Sequence, residues 1–257
     1  MILSKRVALN GVQLDELDER IVIRKIVTGT PKETVQAVSR MGYAGQRMTG
    51  QHFDLLEIKV DFALDIQKRD MDVRREVFDL VKAWALRKGW LTISYLAGRR
   101  VYIDNVAVPD LADPWDWTAD YTLTFRAYNV PFWQDDTPGA AVFTTGTSGS
   151  RTMDISGNVK SVLDAEFRNM SGKTINNFSI NAGGNVISLS SLGLGGSATL
   201  TIDHDAAGLL RIRAGNTNVY QKYTGADDLY VNPGTVSVSF SADRAGLLTV
   251  RNYGRWI

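Results

Sequence analysis

The sequence predicts an α+β domain, mainly antiparallel with one main helix, followed by an all-β sandwich of the jelly-roll or lectin-like kind. Three observations predict it. A single convincing helical stripe of apolar residues lies in the first half, and no helical period holds for three turns in the second. Period-two alternation flanks that helix, as in strands with one buried face. About nine short strand candidates separated by Gly-rich turns fill the remainder, the pattern of a sandwich.

The composition divides the same way. Of the 57 charged residues, 38 fall in residues 1–135, whereas 16 of the 23 glycines fall in 136–257. A charge-dense half and a Gly/Ser/Thr-rich half read as two domains, 1–135 and 136–257. The net charge of +1 makes no electrostatic case for nucleic acid or an anionic membrane surface. Without cysteine there is no disulfide scaffold and no thiolate metal site. The opening MILSKRVALNG has no apolar core of a secretory signal, and no run approaches the roughly 18 apolar residues of a spanning helix. A chain made in a cytoplasm is the expectation.

In order, Asn10 and Gly11 signal a turn, and residues 21–27 form a β-branched strand. Residues 28–50 are polar, contain Pro31 and four glycines, and show no periodicity. They are expected to have no structure of their own, as a floppy surface loop or as an arm that orders only against a partner. Residues 57–66 alternate most clearly, with Ile58, Val60, Phe62, Leu64 and Ile66 on one face. Glu57, Lys59, Asp61, Ala63 and Asp65 occupy the other, which meets water or a polar partner. The helix follows, its stripe read as Val73, Val77, Leu80, Val81 and Trp84. Asp70 or Asp72 caps its start, Arg87 and Lys88 suit its negative end, and Gly89 supplies a left-handed stop. Arg74, Arg75, Asp79 and Lys82 read as its solvated face. Strands are expected at 90–96, 99–108 and 121–128, and Trp115 and Trp117 as a lid on the core between the last two.

The expected strands of the second half are 140–145, 161–168, 177–180, 185–189, 198–203, 209–214, 218–223, 235–241 and 247–252. The last two are separated at Ala245 and Gly246. Catalytic chemistry is sparse. His52 and His204 are the only histidines, no Gly-x-Ser-x-Gly elbow frames a nucleophile, and no phosphate loop occurs. Asp227 and Asp228 read as exposed turn aspartates. No catalytic, metal or cofactor residue is assigned. Tyr220, Tyr223 and Tyr230 are the candidates for a sugar-stacking platform.

The order of segments resembles a known family. RREVFDLVKAWA (74–85), WLTISY (90–95), FRAYNVPFW (125–133), LYVNPGTVSVSF (229–240) and YGRW (253–256) together resemble the distal tail (Dit) proteins of long, non-contractile-tailed bacteriophages. The resemblance implies a structural virion protein at the tail tip, assembled in the host cytoplasm and not an enzyme. Its first domain would form a hexameric ring around a channel through which DNA passes without specific binding. One side would meet the tail tube protein. The other would meet the baseplate hub or tail-associated protein. The second domain would be a galectin-like sandwich on which a receptor-binding or fibre protein docks. Residues 28–50 would match the ring-joining extension. Candidate inter-subunit or tail-tube contacts are Thr28, Lys32, Arg40, Tyr43, Arg47, Glu57, Lys59, Asp61 and Asp65. Pro131, Phe132 and Trp133 would form a stiff hinge, with Pro131 ending the last strand, both rings buried, and 134–139 as linker. The alternative is a carbohydrate-binding protein that adheres to host glycans through the sandwich. A glycan-active enzyme is disfavoured because no motif frames an acid pair.

Overall fold

The computed structural model describes residues 5–39, 46–66, 70–111, 120–205 and 207–257. The chain separates into two compact units, residues 1–133 and 134–257.

The first unit contains β1 (Val7–Leu9), β2 (Val12–Gln13), a 3-10 turn (Leu14–Glu16), β3 (Ile21–Thr28), β4 (Glu33–Ser39), β5 (Gln46–Phe53), β6 (Leu56–Leu64), α1 (Met71–Ala85), β7 (Gly89–Ile93), β8 (Arg99–Ile103), β9 (Asn105–Ala107) and β10 (Asp120–Ala127), and reaches into β11 (Trp133–Asp135). Asn10 and Gly11 both take positive φ, as a two-residue hairpin turn requires. One sheet runs β2-β1-β7-β8, and a second runs β3-β6-β10-β9. In the second, the antiparallel register sets Phe62 against Tyr121, Val60 against Leu123 and Ile58 against Phe125. These six side chains are buried. Phe78 and Trp84 of α1 pack on Tyr121 and Phe125, with ring centroids 5.1 and 5.9 Å apart. The Trp84 indole N–H donates to the Val12 carbonyl at 3.0 Å, which ties the helix to the other sheet.

The helix differs from its predicted phase. Leu80 is exposed and Val73 only half-buried, whereas Arg74, Val77, Phe78, Val81, Trp84 and Ala85 are buried. At about 100° per residue, those six positions form one continuous arc, and Val73 and Leu80 fall beyond its edge. Arg74 therefore does not belong to the solvated face. Asp70 is the N-cap, accepting from the Val73 amide at 3.1 Å. Gly89 is not the helix stop. The helix ends at Ala85 with Leu86 as its C-cap, and Gly89 opens β7 at φ +150°, where a Cβ would strike the Asn10 carboxamide.

Two other expectations in this unit are corrected. Residues 28–50 are not structureless: Thr28 closes β3, and β4 and β5 pair antiparallel as a two-stranded ribbon from Glu33↔Phe53 to Ser39↔Gln46. The β-prone run TVQAV within β4 is the local signal that the glycine content masked. The strand expected at 99–108 is two strands in two sheets. It breaks at Asp104, whose carboxylate accepts from the Tyr128 and Asn129 amides at 2.8 and 3.1 Å.

The second unit contains β12 (Gly139–Val142), β13 (Gly146–Ile155), β14 (Ser161–Asn169), β15 (Phe178–Ala182), β16 (Asn185–Leu189), β17 (Thr199–His204), β18 (Leu210–Ala214), β19 (Thr217–Asn218), a 3-10 turn (Tyr220–Lys222), β20 (Tyr223–Gly225), β21 (Tyr230–Val231), β22 (Gly234–Asn252) and β23 (Arg255–Trp256). Its main path runs β19-β18-β17-β14-β22-β15-β16-β20, with β12 and β13 also on β22. The inward faces share one core, in which Phe167 meets Phe178 and Phe240 at 4.7 and 5.6 Å, and Phe240 meets Phe143 at 5.5 Å.

The 19-residue β22 organises this unit. Residues 234–246 pair with β13, 238–242 with β15, 246–252 with β14 and 249–252 with β12. The two strands expected at 235–241 and 247–252 are thus one, and Ala245–Gly246 is not a turn. Gly246 is there for close approach, since a Cβ would lie 2.2 Å from the Phe167 ring. The expected list of strands omits β13. Its sequence GTSGSRTMDI is mostly Gly, Ser and Thr, and only Met153 and Ile155 are buried. The strand expected at 218–223 is instead the end of β19, a 3-10 turn and the first residue of β20.

Candidate assembly surfaces and the charged lock of the second unit

The outward face of β6 is a polar ladder. Glu57 pairs with Lys59 at 3.1 Å and with Arg126 of β10 at 3.2 Å, and these two partners hold its carboxyl below the usual range. Asp61 accepts from the Thr122 hydroxyl at 2.7 Å and stands opposite Lys25 of β3 in register. Asp65 is exposed just past the strand, its amide donating to the Arg20 carbonyl at 2.7 Å. Ala63, read as part of this face, is buried. Beside the ladder, the Gly29 amide donates to the Glu57 carbonyl at 2.7 Å. The exposed Lys32 accepts through its carbonyl from the Asp54 amide at 2.8 Å, near the foot of the β4–β5 ribbon. Arg47 lies on β5. Arg40, Tyr43, Trp115 and Trp117 lie outside the described residues.

At the other end of the first unit, Pro131, Phe132 and Trp133 are buried, and Phe132 meets Phe53 edge-on at 5.0 Å. Pro131 does not end β10. That strand stops at Ala127, before Asp104 captures the next two amides, with the Asn129 carboxamide donating to Asp104 as well at 2.8 Å. Residues 134–139, read as a linker, contain a clamped aspartate. The Asp135 amide donates to the Gly254 carbonyl at 3.0 Å, and its carboxylate accepts from Trp256 Nε1 at 2.8 Å and from the Ser156 hydroxyl.

The most concentrated electrostatics of the second unit surround His204. Its Nδ1 lies 2.7 Å from Asp164, and its Nε2 lies 2.9 and 3.0 Å from the two oxygens of Asp228. The His204 and Asp228 side chains are each 8% exposed. Burial works hardest against a charge on the ring, but the hydrogen bonds and attraction of the two carboxylates together outweigh it and raise the pKa to about 9. The imidazolium donates from both nitrogens, so neither is free to act as a base. Burial also lowers the Arg255 pKa, opposed by attraction to Tyr230, Asp228 and Asp164. Asp228 is therefore not an exposed turn residue. It holds an ion-pair lock joining β14, the end of β17 and the segment before β21. Among the described residues, no group of three His, Cys, Asp or Glu side chains is placed to hold a metal ion.

Of the three tyrosines, Tyr220 and Tyr223 come together, ring centroids 5.1 Å apart, and the Tyr223 hydroxyl donates to the Ala226 carbonyl at 2.9 Å. The ring of Tyr230 is faced instead by the Lys160 ammonium, 4.5 Å from its centroid. His52 is exposed, 3.8 Å from Asp54.

No protein-family profile and no curated protein matches the sequence. Its structure has clear counterparts. The Dit protein (gp 19.1) of phage SPP1, a paradigm of the hub adsorption apparatus in phages that infect Gram-positive hosts, matches with a TM-score of 0.66 at 13% identity. The match covers 98% of this chain and 99% of that one. The chain has the Dit fold. Structures of the phage p2 baseplate in its activated conformation with Sr and with Ca match more loosely. Their TM-scores are 0.46 and 0.47 at 10% and 9% identity, over 96% and 97% of this chain and 97% and 98% of those chains. Within this Dit fold, the buried Arg74, the Asp104 strand-breaker, the Asp135 clamp and the His204 lock are the residues that sequence reasoning passed over. Asp104, Asp135 and His204 act on partners distant in sequence, so no local pattern marks them.

Proposed function

We propose that the chain is a structural virion protein of a long-tailed phage, forming a hexameric ring at the distal end of the tail. The observation that carries this reading is the end-to-end correspondence with the SPP1 Dit fold, at a TM-score of 0.66. In this reading the first unit is the ring, and it joins the tail tube protein to the baseplate hub or tail-associated protein. The second unit is a galectin-like sandwich on which receptor-binding or fibre proteins dock. A ring repeats one heterologous interface until it closes. The β6 ladder of Glu57, Lys59 and Asp61, with Asp65, and the arm residues Thr28, Lys32, Arg40, Tyr43 and Arg47 are the proposed contacts. The β4–β5 ribbon supports that role, because a two-stranded ribbon is marginal alone and gains from a neighbour. The net charge of +1 suits a conduit that lets DNA pass without gripping its phosphates. The protein is assembled in the host cytoplasm, ends at the virion tail tip and catalyses nothing. Gold-labelled antibody against the purified chain, applied to tailed virions that contain it, is expected to mark the tip. Label along the shaft, on the head or on no particle contradicts the reading.

A further inference from the structure

Asn10 and Gly11 form the only Asn-Gly pair in the sequence. They are the two central residues of the hairpin turn between β1 and β2, at φ +53° and +81°, with Leu9 opposite Val12. Asn10 is exposed, yet its carboxamide is held at both ends. Its Nδ2 donates to the Lys88 carbonyl at 3.0 Å, and its Oδ1 accepts from the Trp90 amide at 3.0 Å. Its own backbone amide donates to the Trp90 carbonyl at 2.8 Å. Gly89, between those two partners, packs so close that a Cβ there would strike the carboxamide. Asn10 thus carries the pairing of β1 with β7 one step beyond Leu9↔Leu91, partly through its side chain.

We infer that Asn10 is a modification site open only in the unfolded chain, where it deamidates. In a flexible Asn-Gly pair the glycine nitrogen attacks the side-chain carbonyl carbon. Here the Gly11 nitrogen bonds to Asn10 Cγ and the Cγ–Nδ2 bond breaks. The Gly11 amide proton passes through water to the leaving ammonia. Water then opens the cyclic imide at either carbonyl, giving aspartate when it adds at Cγ and isoaspartate when it adds at the backbone carbonyl. Folding opposes the first step by geometry rather than by burial. To reach the Gly11 nitrogen, Cγ must swing away from β7, which breaks both carboxamide hydrogen bonds. Attack therefore waits for local opening of the turn. The products also fit the fold badly. Aspartate sets a carboxylate oxygen against the Lys88 carbonyl, acceptor against acceptor, where Nδ2 donates in the parent. Isoaspartate adds a methylene to the backbone of a two-residue turn, whose length fixes the strand register. Conversion before folding is irreversible and leaves β1 without its anchor on β7. The inference depends on no ring and no partner.

The test holds the full chain in mildly alkaline buffer, with and without guanidinium chloride, and follows Asn10 by peptide mass spectrometry. The tryptic peptide 7–20 carries Asn10 as its only asparagine, so its gain of mass from amide to acid reports on this site alone. Conversion is expected in guanidinium chloride and at least about tenfold more slowly in native buffer. The Asn10→Asp chain is expected to unfold at a lower urea concentration than the parent. Conversion equally fast in the two samples overturns the inference, and so does no conversion in guanidinium chloride. An Asn10→Asp chain with the parent's urea midpoint overturns it as well, because the carboxamide would then not be the anchor.

Discussion

His204 is held between Asp164 and Asp228, residues 40 and 24 positions away in sequence. Its sequence neighbours do other work. Asp203 binds Arg211 and Arg213 at 3.0 and 2.9 Å, and Asp205 accepts from the Ala207 and Leu209 amides. The local string Asp203–His204–Asp205 is legible in the sequence, but strand pairing alone brings the true partners Asp164 and Asp228 to the ring. Removing one member of a buried ionic group leaves the others uncompensated, so His204→Leu is expected to destabilise the second unit by about 3 kcal/mol. The pH dependence follows from the raised pKa. The stabilisation is complete below the ordinary histidine value of 6.5 and is lost as pH rises through about 9. Chemical denaturation from about pH 6 to pH 10 checks this. A wild-type midpoint that does not fall across that window more than the midpoint of His204→Leu means that the ring is not charged in the folded state.

At the scale of elements, periodicity revealed that a helix lies between two runs of strands, but not which way it faces. Val73 and Leu80 looked like parts of the stripe because they are apolar; Arg74 was excluded because it is charged. The buried arc contains Arg74 all the same, the whole residue being only 6% exposed. Leu80→Gln is therefore expected to change stability by no more than about 0.5 kcal/mol, and Trp84→Ala to cost about 3–5 kcal/mol. Thermal or urea unfolding of the two variants distinguishes this phase from the one with Leu80 inward, which predicts a large loss for both. In the second unit, alternation identified strands with a buried face, such as β14 and β16. It missed β13, whose polar residues carry almost no hydrophobic pattern, and it cut β22 at a glycine. Gly246→Val places side-chain atoms where the Phe167 ring lies, and is expected to cost more than about 2 kcal/mol. A variant as stable as the parent would show that the ring can move aside and that Gly246 is not needed for close approach.

At the scale of the molecule, the soft motifs 74–85, 90–95, 125–133, 229–240 and 253–256 carried information through their order rather than their chemistry. No family profile and no curated protein matches the sequence, yet the fold matches SPP1 Dit along nearly its whole length. The succession of strands, helix and strands buries the cores, and many sequences satisfy that. What stayed illegible was long-range: the strand-breaking Asp104, the clamp on Asp135 and the lock on His204 all depend on contacts that no window of sequence contains. Copies of this chain are proposed to close into a ring. Mass measurement of the purified protein across micromolar concentrations, with negative-stain images of the same sample, tests it most directly. The expected result is a species of six chains that appears as a ring with a central hole. A monodisperse monomer throughout, or closed particles without a hole, would contradict it.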